Sequence, residues 1–160
     1  MKLDITTGDK ITPHEVDYDF KLMFENRCIS VLAYNFETIM AEKLETLISR
    51  GSQNTRLRDY YDVYILAKFN DTRINMQILS AALFRTARYR GTETLMMQYK
   101  NIIEHVAGDE TMQLQWTNYQ KAFEYASGIE FSDVCSCMIQ IMDEINYYEN
   151  LRETGVPSVV

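Results

Sequence analysis

Helix-breaking residues are scarce in this sequence, which holds only two prolines and six glycines in 160 residues. From Asn35 onward, apolar residues recur three and four positions apart, the spacing of one face of an α-helix. Val134, Met138, Ile141 and Ile145 are one such series. Glycines at 51, 91, 108 and 128 separate these stretches. The pattern predicts a mainly α fold, a bundle of about six helices near 36–50, 57–69, 75–90, 92–106, 110–127 and 132–150.

The first 34 residues have a different pattern. Residues 2–7 alternate apolar and polar side chains and end at Gly8-Asp9, which predicts a strand that runs into a turn. Residues 28–33 form an apolar run too short for a helix, and residues 9–27 are interpreted as a polar loop. We therefore expect a short N-terminal strand or hairpin over 1–34, a helical domain over 35–153 and a flexible tail over 154–160.

Composition places the chain among soluble globular proteins, with 46% apolar and 24% charged residues. No run approaches the roughly 20 apolar residues of a membrane span, so a cytoplasmic protein without a membrane partner is expected. Cys28, Cys135 and Cys137 are an odd number without CxxC spacing and are interpreted as reduced core residues. His14 and His105 stand apart from these cysteines, so no zinc site is predicted.

The net charge of −7 argues against a polyanionic partner, but the charge is unevenly distributed. Residues 1–42 carry −4, residues 43–90 carry +5 and residues 91–160 carry −8. A basic segment thus lies between two acidic ones, and it remains able to contact phosphate.

Lys43, Asp59 and Asp62 are charged residues on otherwise apolar helix faces, where an unpaired charge costs several kcal/mol. One interpretation is a salt bridge that ties two neighbouring helices together. The other is a lysine that contacts a triphosphate, with an aspartate that orients it or assists proton transfer. In the second case Arg50, Arg56 and Arg58 would supply further phosphate contacts.

Two motifs at these positions resemble a known family. Residues 37–44 (ETIMAEKL) followed by residues 56–64 (RLRDYYDVY) are similar to the AEK…RxRDxxD signature of AbiEii/AbiGii-type nucleotidyltransferase toxins. Residues 3–13 are similar to the DIxxGDxIT segment upstream of it. The aromatic residues Trp116, Tyr119, Phe123 and Tyr125 also suit the helical C-terminal region of that family.

The resemblance implies a polymerase-β-like head joined to a helical bundle, in a toxin of abortive-infection or type IV toxin–antitoxin systems. It implies transfer of a nucleotide, in several members to tRNA, with Mg²⁺ and a nucleoside triphosphate in the complete enzyme and an antitoxin encoded nearby. Lys43 matches the essential lysine of the family and Asp59 its essential aspartate. Asp62 matches the second acid of the RDxxD box, and Asp4 is similar to a carboxylate of the head that would bind metal only with the rest of that head.

One segment of the family is not found in the sequence, the Gly-Ser turn followed by a paired Asp-x-Asp on a strand, which holds the metal ions. Gly51-Ser52 followed by Asp59 and Asp62 gives DxxD on a helix instead. The chain is therefore interpreted as the C-terminal portion of such an enzyme, inactive alone and without tight binding of nucleotide or metal. Its partner would be an N-terminal nucleotidyltransferase segment or a second copy of the chain.

A non-enzymatic role is the alternative. In that interpretation the chain is a helical remnant or interaction module, the lysine and aspartates form a structural ion pair, and an exposed strand edge near Asp4 drives dimerisation.

Arg85, Arg88 and Arg90 form a further basic group near the end of the third predicted helix. They are interpreted either as an exposed ridge that contacts RNA or as an ordinary solvated face. Tyrosines at helical spacing could stack bases, but they and the nine methionines are more typical of packing residues.

Overall fold

A computed structural model describes residues 11–70 and 74–153 of the chain. Two antiparallel strands come first, β1 (Val16–Lys21) and β2 (Cys28–Ala33). Seven helices follow within the described residues: α1 (Phe36–Arg50), α2 (Leu57–Asn70), α3 (Met76–Arg90), α4 (Glu93–Met97), α5 (Tyr99–Gly108), α6 (Glu110–Ala122) and α7 (Phe131–Glu153). The structure is 71% helical, which confirms the mainly α prediction. None of the described helices has both the length and the apolar character that crossing a bilayer requires.

Helix α1 begins and ends where the sequence predicts. The Asn35 side chain accepts a hydrogen bond from the Thr38 N–H at 2.8 Å, so it is the N-cap. At the other end Gly51 adopts a positive φ of 52° and its N–H donates to the Leu47 carbonyl. Both signals are local in sequence, which is why this helix could be predicted accurately.

Asn35 also fastens the segment before β1 to the helical domain, because its amide group donates to the carbonyls of Thr12 and His14. Asn35→Ala is therefore expected to lower the free energy of unfolding by about 1–2 kcal/mol, through loss of the cap and of these bonds. Thermal unfolding followed by circular dichroism measures the effect. Asn101→Ala, on the exposed surface of α5, is the matched control with a change within about 0.5 kcal/mol. Equal melting temperatures for the two variants would contradict the prediction.

The core is built around α7, which packs against α2, α3 and α5, while α1 packs against α2 and α3. Met138 and Met142 of α7 are fully buried, in agreement with methionine as a packing residue. Helix α2 is less central than its composition predicts. Tyr60 and Val63 are buried, but Tyr61, Tyr64, Ile65 and Leu66 are only half-buried.

The interpretation of residues 9–27 as a loop is wrong, because β1 lies within them. Val16, Tyr18 and Phe20 alternate with polar residues and pair across the ladder with Ala33, Val31 and Ile29. This register places six apolar residues on one face of the hairpin. Val16, Tyr18, Ile29 and Val31 are exposed there, with Tyr18 at 58%. The predicted strand over 2–7 and the predicted tail over 154–160 lie outside the described residues.

Two predicted helices have different boundaries in the structure. The helix expected over 92–106 is divided at Gln98, whose N–H bonds to Leu95 only three residues back and interrupts the α-helical ladder. The helix expected over 110–127 ends at Ala122, because Phe123 is extended and a short 3₁₀ turn over Glu124–Ala126 follows.

The three cysteines are free thiols, as predicted, but only two of them are core residues. Cys135 and Cys137 are buried in α7, and burial raises the pKa of the Cys135 thiol to about 12. Cys28 is exposed on β2, so its assignment to the core is wrong. Residues 28–32 of β2 are all exposed to solvent.

Candidate functional site

Lys43 of α1 lies between the two aspartates of α2. Its Nζ atom donates to Asp59 Oδ1 at 2.7 Å and to Asp62 Oδ2 at 2.8 Å. The three side chains are 22%, 15% and 26% exposed, so the group is mostly but not completely shielded from water. The structure therefore brings together the three residues that the sequence singles out. We call Lys43, Asp59 and Asp62 the lysine–aspartate cluster.

The short connection between α1 and α2 sets this arrangement. A 3₁₀ turn over Gly51–Gln53 reverses the chain, and the side chain of buried Asn54 accepts a hydrogen bond from the Arg56 N–H at 2.9 Å. Helix α2 then begins at Leu57 and packs against α1. Because Asp59 and Asp62 are three residues apart, both lie on the face of α2 that meets Lys43.

Electrostatics keep Lys43 charged at neutral pH. Burial lowers the pKa of Lys43, but the hydrogen bonds to Asp59 and Asp62 and their negative charges raise it by more in total. Its pKa therefore lies above the ordinary lysine value. An ammonium has three N–H donors and the aspartates use two. No described residue accepts the third, which is chemically suited to an oxygen of an incoming anion.

Arg56 and Arg58 lie beside the cluster, on its solvent-exposed side. Their Nε atoms lie 3.9 Å from Asp59 Oδ2 and Asp62 Oδ2, distances of loose ion pairs, and their side chains are 66% and 78% exposed. Two guanidinium groups and one ammonium thus face two carboxylates, which leaves one net positive charge. This electrostatic balance favours an anion.

Arg50 lies apart from the cluster. It lines a cleft of about 410 Å³ together with Arg56 and Arg90. Within the described residues it forms no hydrogen bond or ion pair with Lys43, Asp59 or Asp62. A second cleft, of about 650 Å³, lies between the start of α2 and helix α6 and is lined by Arg56 and Arg58. The three arginines predicted to contact one triphosphate are thus divided between two clefts, and only Arg56 reaches both.

A family model described as nucleotidyl transferase AbiEii toxin of a type IV toxin–antitoxin system matches residues 1–135, most of the chain. The chain belongs to the AbiEii family. This confirms the resemblance inferred from the AEK and RxRDxxD motifs, and the matched range includes the whole lysine–aspartate cluster. Searches of curated proteins and of solved structures gave no significant match.

Membership places this chain in a toxin–antitoxin family of nucleotidyltransferase type. A type IV system pairs a toxin with an antitoxin, so the family points to an antitoxin as a partner of this AbiEii-type chain.

The predicted arginine ridge of this AbiEii-type chain is largely engaged by protein groups. Arg85 donates to the Ile11 carbonyl and the Thr12 hydroxyl at 3.4 Å, and Arg88 donates to Glu93 at 3.0 Å. Arg90 forms a close ion pair with Glu45, whose side chain is only 2% exposed. Arg90 therefore anchors α3 to α1, and an RNA contact by the three arginines remains a prediction.

No group of metal-binding side chains is assembled in the described part of the chain. Asp4, the predicted metal ligand, lies outside the described residues. Within 11–70 and 74–153, no group of three or more His, Cys, Asp or Glu side chains is arranged to hold an ion. Asp59 Oδ1 and Asp62 Oδ2 both accept hydrogen bonds from the Lys43 ammonium, so this pair does not fit a magnesium ion.

Sequence reasoning missed one acidic pair. Asp17 and Asp19 of β1 have Asp-x-Asp spacing on a strand, so both project from the same face. The interpretation of residues 9–27 as a loop leaves this pair unpredicted. Both residues are exposed, and no Gly-Ser turn precedes them. Their alternation with Val16, Tyr18 and Phe20 was the signal that could have located the pair.

Proposed function

We propose that this chain supplies the triphosphate-contacting lysine and the catalytic aspartate of a nucleotidyltransferase site. The site transfers the nucleoside monophosphate of a nucleoside triphosphate to an acceptor such as tRNA, with pyrophosphate as the leaving group. Lys43 is the triphosphate contact, and Asp59 orients it and assists proton transfer from the acceptor. The observation that supports this most directly is the lysine–aspartate cluster, at 2.7 and 2.8 Å, within the region matched by the AbiEii family model.

The geometry suits this chemistry in two respects. Asp59 and Asp62 hold the ammonium in a fixed position and leave one N–H for a phosphate oxygen. Arg56 and Arg58 add positive charge at the open side of the cluster, where a polyphosphate would approach. Asp62 accepts the second hydrogen bond of the Lys43 ammonium, at 2.8 Å, and we propose that it positions the lysine.

The metal chemistry belongs to carboxylates other than those of the cluster. In the complete enzyme, bound Mg²⁺ would neutralise the triphosphate charge. An N-terminal nucleotidyltransferase segment, with its Gly-Ser turn and Asp-x-Asp pair, would supply the ligands. We therefore expect the chain alone to bind Mg²⁺–nucleotide weakly and to transfer no label.

Calorimetry and label transfer test the proposal together. The chain is titrated with each Mg²⁺–nucleoside triphosphate, alone and with an N-terminal segment from the family, and then incubated with labelled triphosphates and total tRNA. Lys43→Arg and Asp59→Asn are expected to reduce transfer in the mixture about 100-fold, because each removes a group placed at the reacting phosphate. Lys100→Arg and Asp133→Asn, both exposed and remote from the cluster, are the matched controls with unchanged transfer.

Nucleotide binding provides the deciding comparison. If Lys43→Arg and Asp59→Asn bind Mg²⁺–triphosphate as the unmodified chain does, with or without the N-terminal segment, the cluster is a structural ion pair and the proposal fails. Robust label transfer by the chain alone would refute the expectation that further carboxylates are required.

A non-enzymatic interaction module is the second candidate. The exposed apolar face of the hairpin favours it, because such a face is typical of a surface that another polypeptide covers. In that case the variants at Lys43 and Asp59 would change stability without changing nucleotide binding.

A further inference from the structure

The larger cleft adjoins the lysine–aspartate cluster but is formed by different residues. We propose that this cleft binds one unpaired nucleotide, with the phosphate at Arg56 and Arg58 and the base against Tyr119. The inference rests on the proposed function for the class of ligand, and its position rests on the cleft itself. We call it the α2/α6 cleft.

The cleft is an open depression with two chemically different walls. Its volume of about 650 Å³ is within the range of small-molecule pockets. Arg56 and Arg58, at the start of α2, form one wall. Gln115, Asn118 and Tyr119, which lie within five residues of α6, form the other. Positive charge on one wall thus faces amide groups and an aromatic ring on the opposite wall.

These groups match the parts of a nucleotide. Exposed guanidinium groups bind phosphate oxygens through two N–H donors at once. A tyrosine ring offers a surface on which any base can stack. The amides of Gln115 and Asn118 both donate and accept, as base edges require. A base-paired duplex would not bind in this way, because its bases are already stacked on and paired with one another.

Tyr119 belongs to an aromatic group next to the cluster, since its ring centroid also lies 4.8 Å from that of Phe123 and 6.5 Å from that of Tyr61. Its ring stacks on that of Trp116, with centroids 5.5 Å apart and planes at 27°, and its hydroxyl lies 3.0 Å from that of Tyr125. Burial, the hydrogen bond with Tyr125 and the charge of Asp62 raise the pKa of Tyr119 above its ordinary range. The ring is therefore neutral at physiological pH. Arg58 links the two sites, because it lines the cleft together with Tyr119 and its Nε atom lies 3.9 Å from Asp62 Oδ2.

The nucleotide could belong to a free nucleoside triphosphate or to an unpaired position of an RNA strand. Fluorescence anisotropy with a short, labelled single-stranded RNA of mixed sequence, in EDTA, measures the second source. Competition by each unlabelled nucleoside triphosphate measures the first, and competition by the same RNA annealed to its complement tests the need for unpaired bases. Trp116 is the only tryptophan and stacks on Tyr119, so its emission is expected to change on binding.

Three variants locate the binding in the cleft. Tyr119→Leu is expected to weaken it at least about fivefold through loss of stacking. Arg58→Gln is expected to weaken it about threefold and to reduce the slope of log affinity against log salt by about 0.7. Asn118→Asp, which places a negative charge in the cleft, is expected to weaken it about threefold. The matched controls are Tyr147→Leu, Arg27→Gln and Asn101→Asp, which make the same changes at exposed positions outside the cleft.

The outcomes separate the two sources and the two proposals. Binding of single-stranded RNA identifies a strand as the source, and binding of triphosphate alone identifies free nucleotide; either supports the inference if the cleft variants lower it and the controls do not. No binding of either, equal competition by the duplex, or equal effects of cleft and control variants overturns it. If Tyr119→Leu does not fold, Arg58→Gln and Asn118→Asp decide.

The use of EDTA keeps this result independent of the proposed function. If Mg²⁺–triphosphate binding does not depend on Lys43 while the cleft variants lower binding in EDTA, the proposed function alone is refuted. If Mg²⁺–triphosphate binding depends on Lys43 while the cleft variants have no effect in EDTA, the cleft proposal alone is refuted.

Discussion

Arg90→Met is expected to lower the free energy of unfolding by about 3 kcal/mol, because it leaves the buried carboxylate of Glu45 without its cation. Glu45 is 2% exposed. Among the described residues, its carboxylate accepts hydrogen bonds from Arg90 and, at 2.8 Å, from the Thr92 hydroxyl. A carboxylate in that position can neither reach water nor remain charged without cost. For a chain of this size the change corresponds to a melting temperature lower by about 6–12 °C.

Chemical and thermal unfolding measure this effect against Arg88→Met. Arg88 is 74% exposed and pairs with the partly exposed Glu93, so the same substitution there should cost no more than about 0.5 kcal/mol. A Glu45→Leu/Arg90→Met double variant should recover most of the loss, because it removes both charges. Equal losses for Arg88→Met and Arg90→Met would show that the Glu45 pair does not stabilise the fold.

Some features of the fold could be predicted from the sequence and others could not. Helix α1 could be predicted closely because Asn35 and Gly51, its two end signals, lie next to it in the chain. The division at Gln98 could not, since neither glycine nor proline marks it and a backbone hydrogen bond to Leu95 produces it. Glu45 stands between Ala41 and Ile48, both fully buried, and this spacing was a signal that could have found it.

The candidate site, too, could be predicted from the sequence only in part. Lys43, Asp59 and Asp62 stand out because charge on an apolar helix face needs a partner, and the structure shows that they are one another's partners. The grouping of the arginines was not predictable, because it depends on how α2 packs beside α6. The sequence gives no local signal that Arg58 faces Tyr119 across a cleft while Arg50 lies in another.

Lys43→Met is expected to lower the free energy of unfolding by about 2–3 kcal/mol, because two mostly buried carboxylates would then repel each other without a cation between them. Lys100→Met, at an exposed position of α5, is the matched control and should change stability by less than about 0.5 kcal/mol. A triple variant that also carries Asp59→Asn and Asp62→Asn should recover part of the loss. If Lys43→Met is as stable as the control, the cluster contributes nothing to the stability of the fold. The charged side chains of the cluster would then serve ligand binding alone.

The pH dependence of this difference identifies the charge on Lys43 as its cause. Because the pKa of Lys43 is raised in the folded chain, its contribution is fully present below the unfolded lysine pKa of about 10.4 and is lost as the pH rises through the folded value. The difference in unfolding free energy between the unmodified chain and Lys43→Met should therefore be constant from about pH 7 to 9 and should shrink above about pH 10.4. Denaturant titrations across that range measure it, with Lys100→Met as the reference. A difference that persists unchanged in strong alkali would mean that the lysine stabilises the chain through packing of its aliphatic stem, because an uncharged amine cannot hold two carboxylates together.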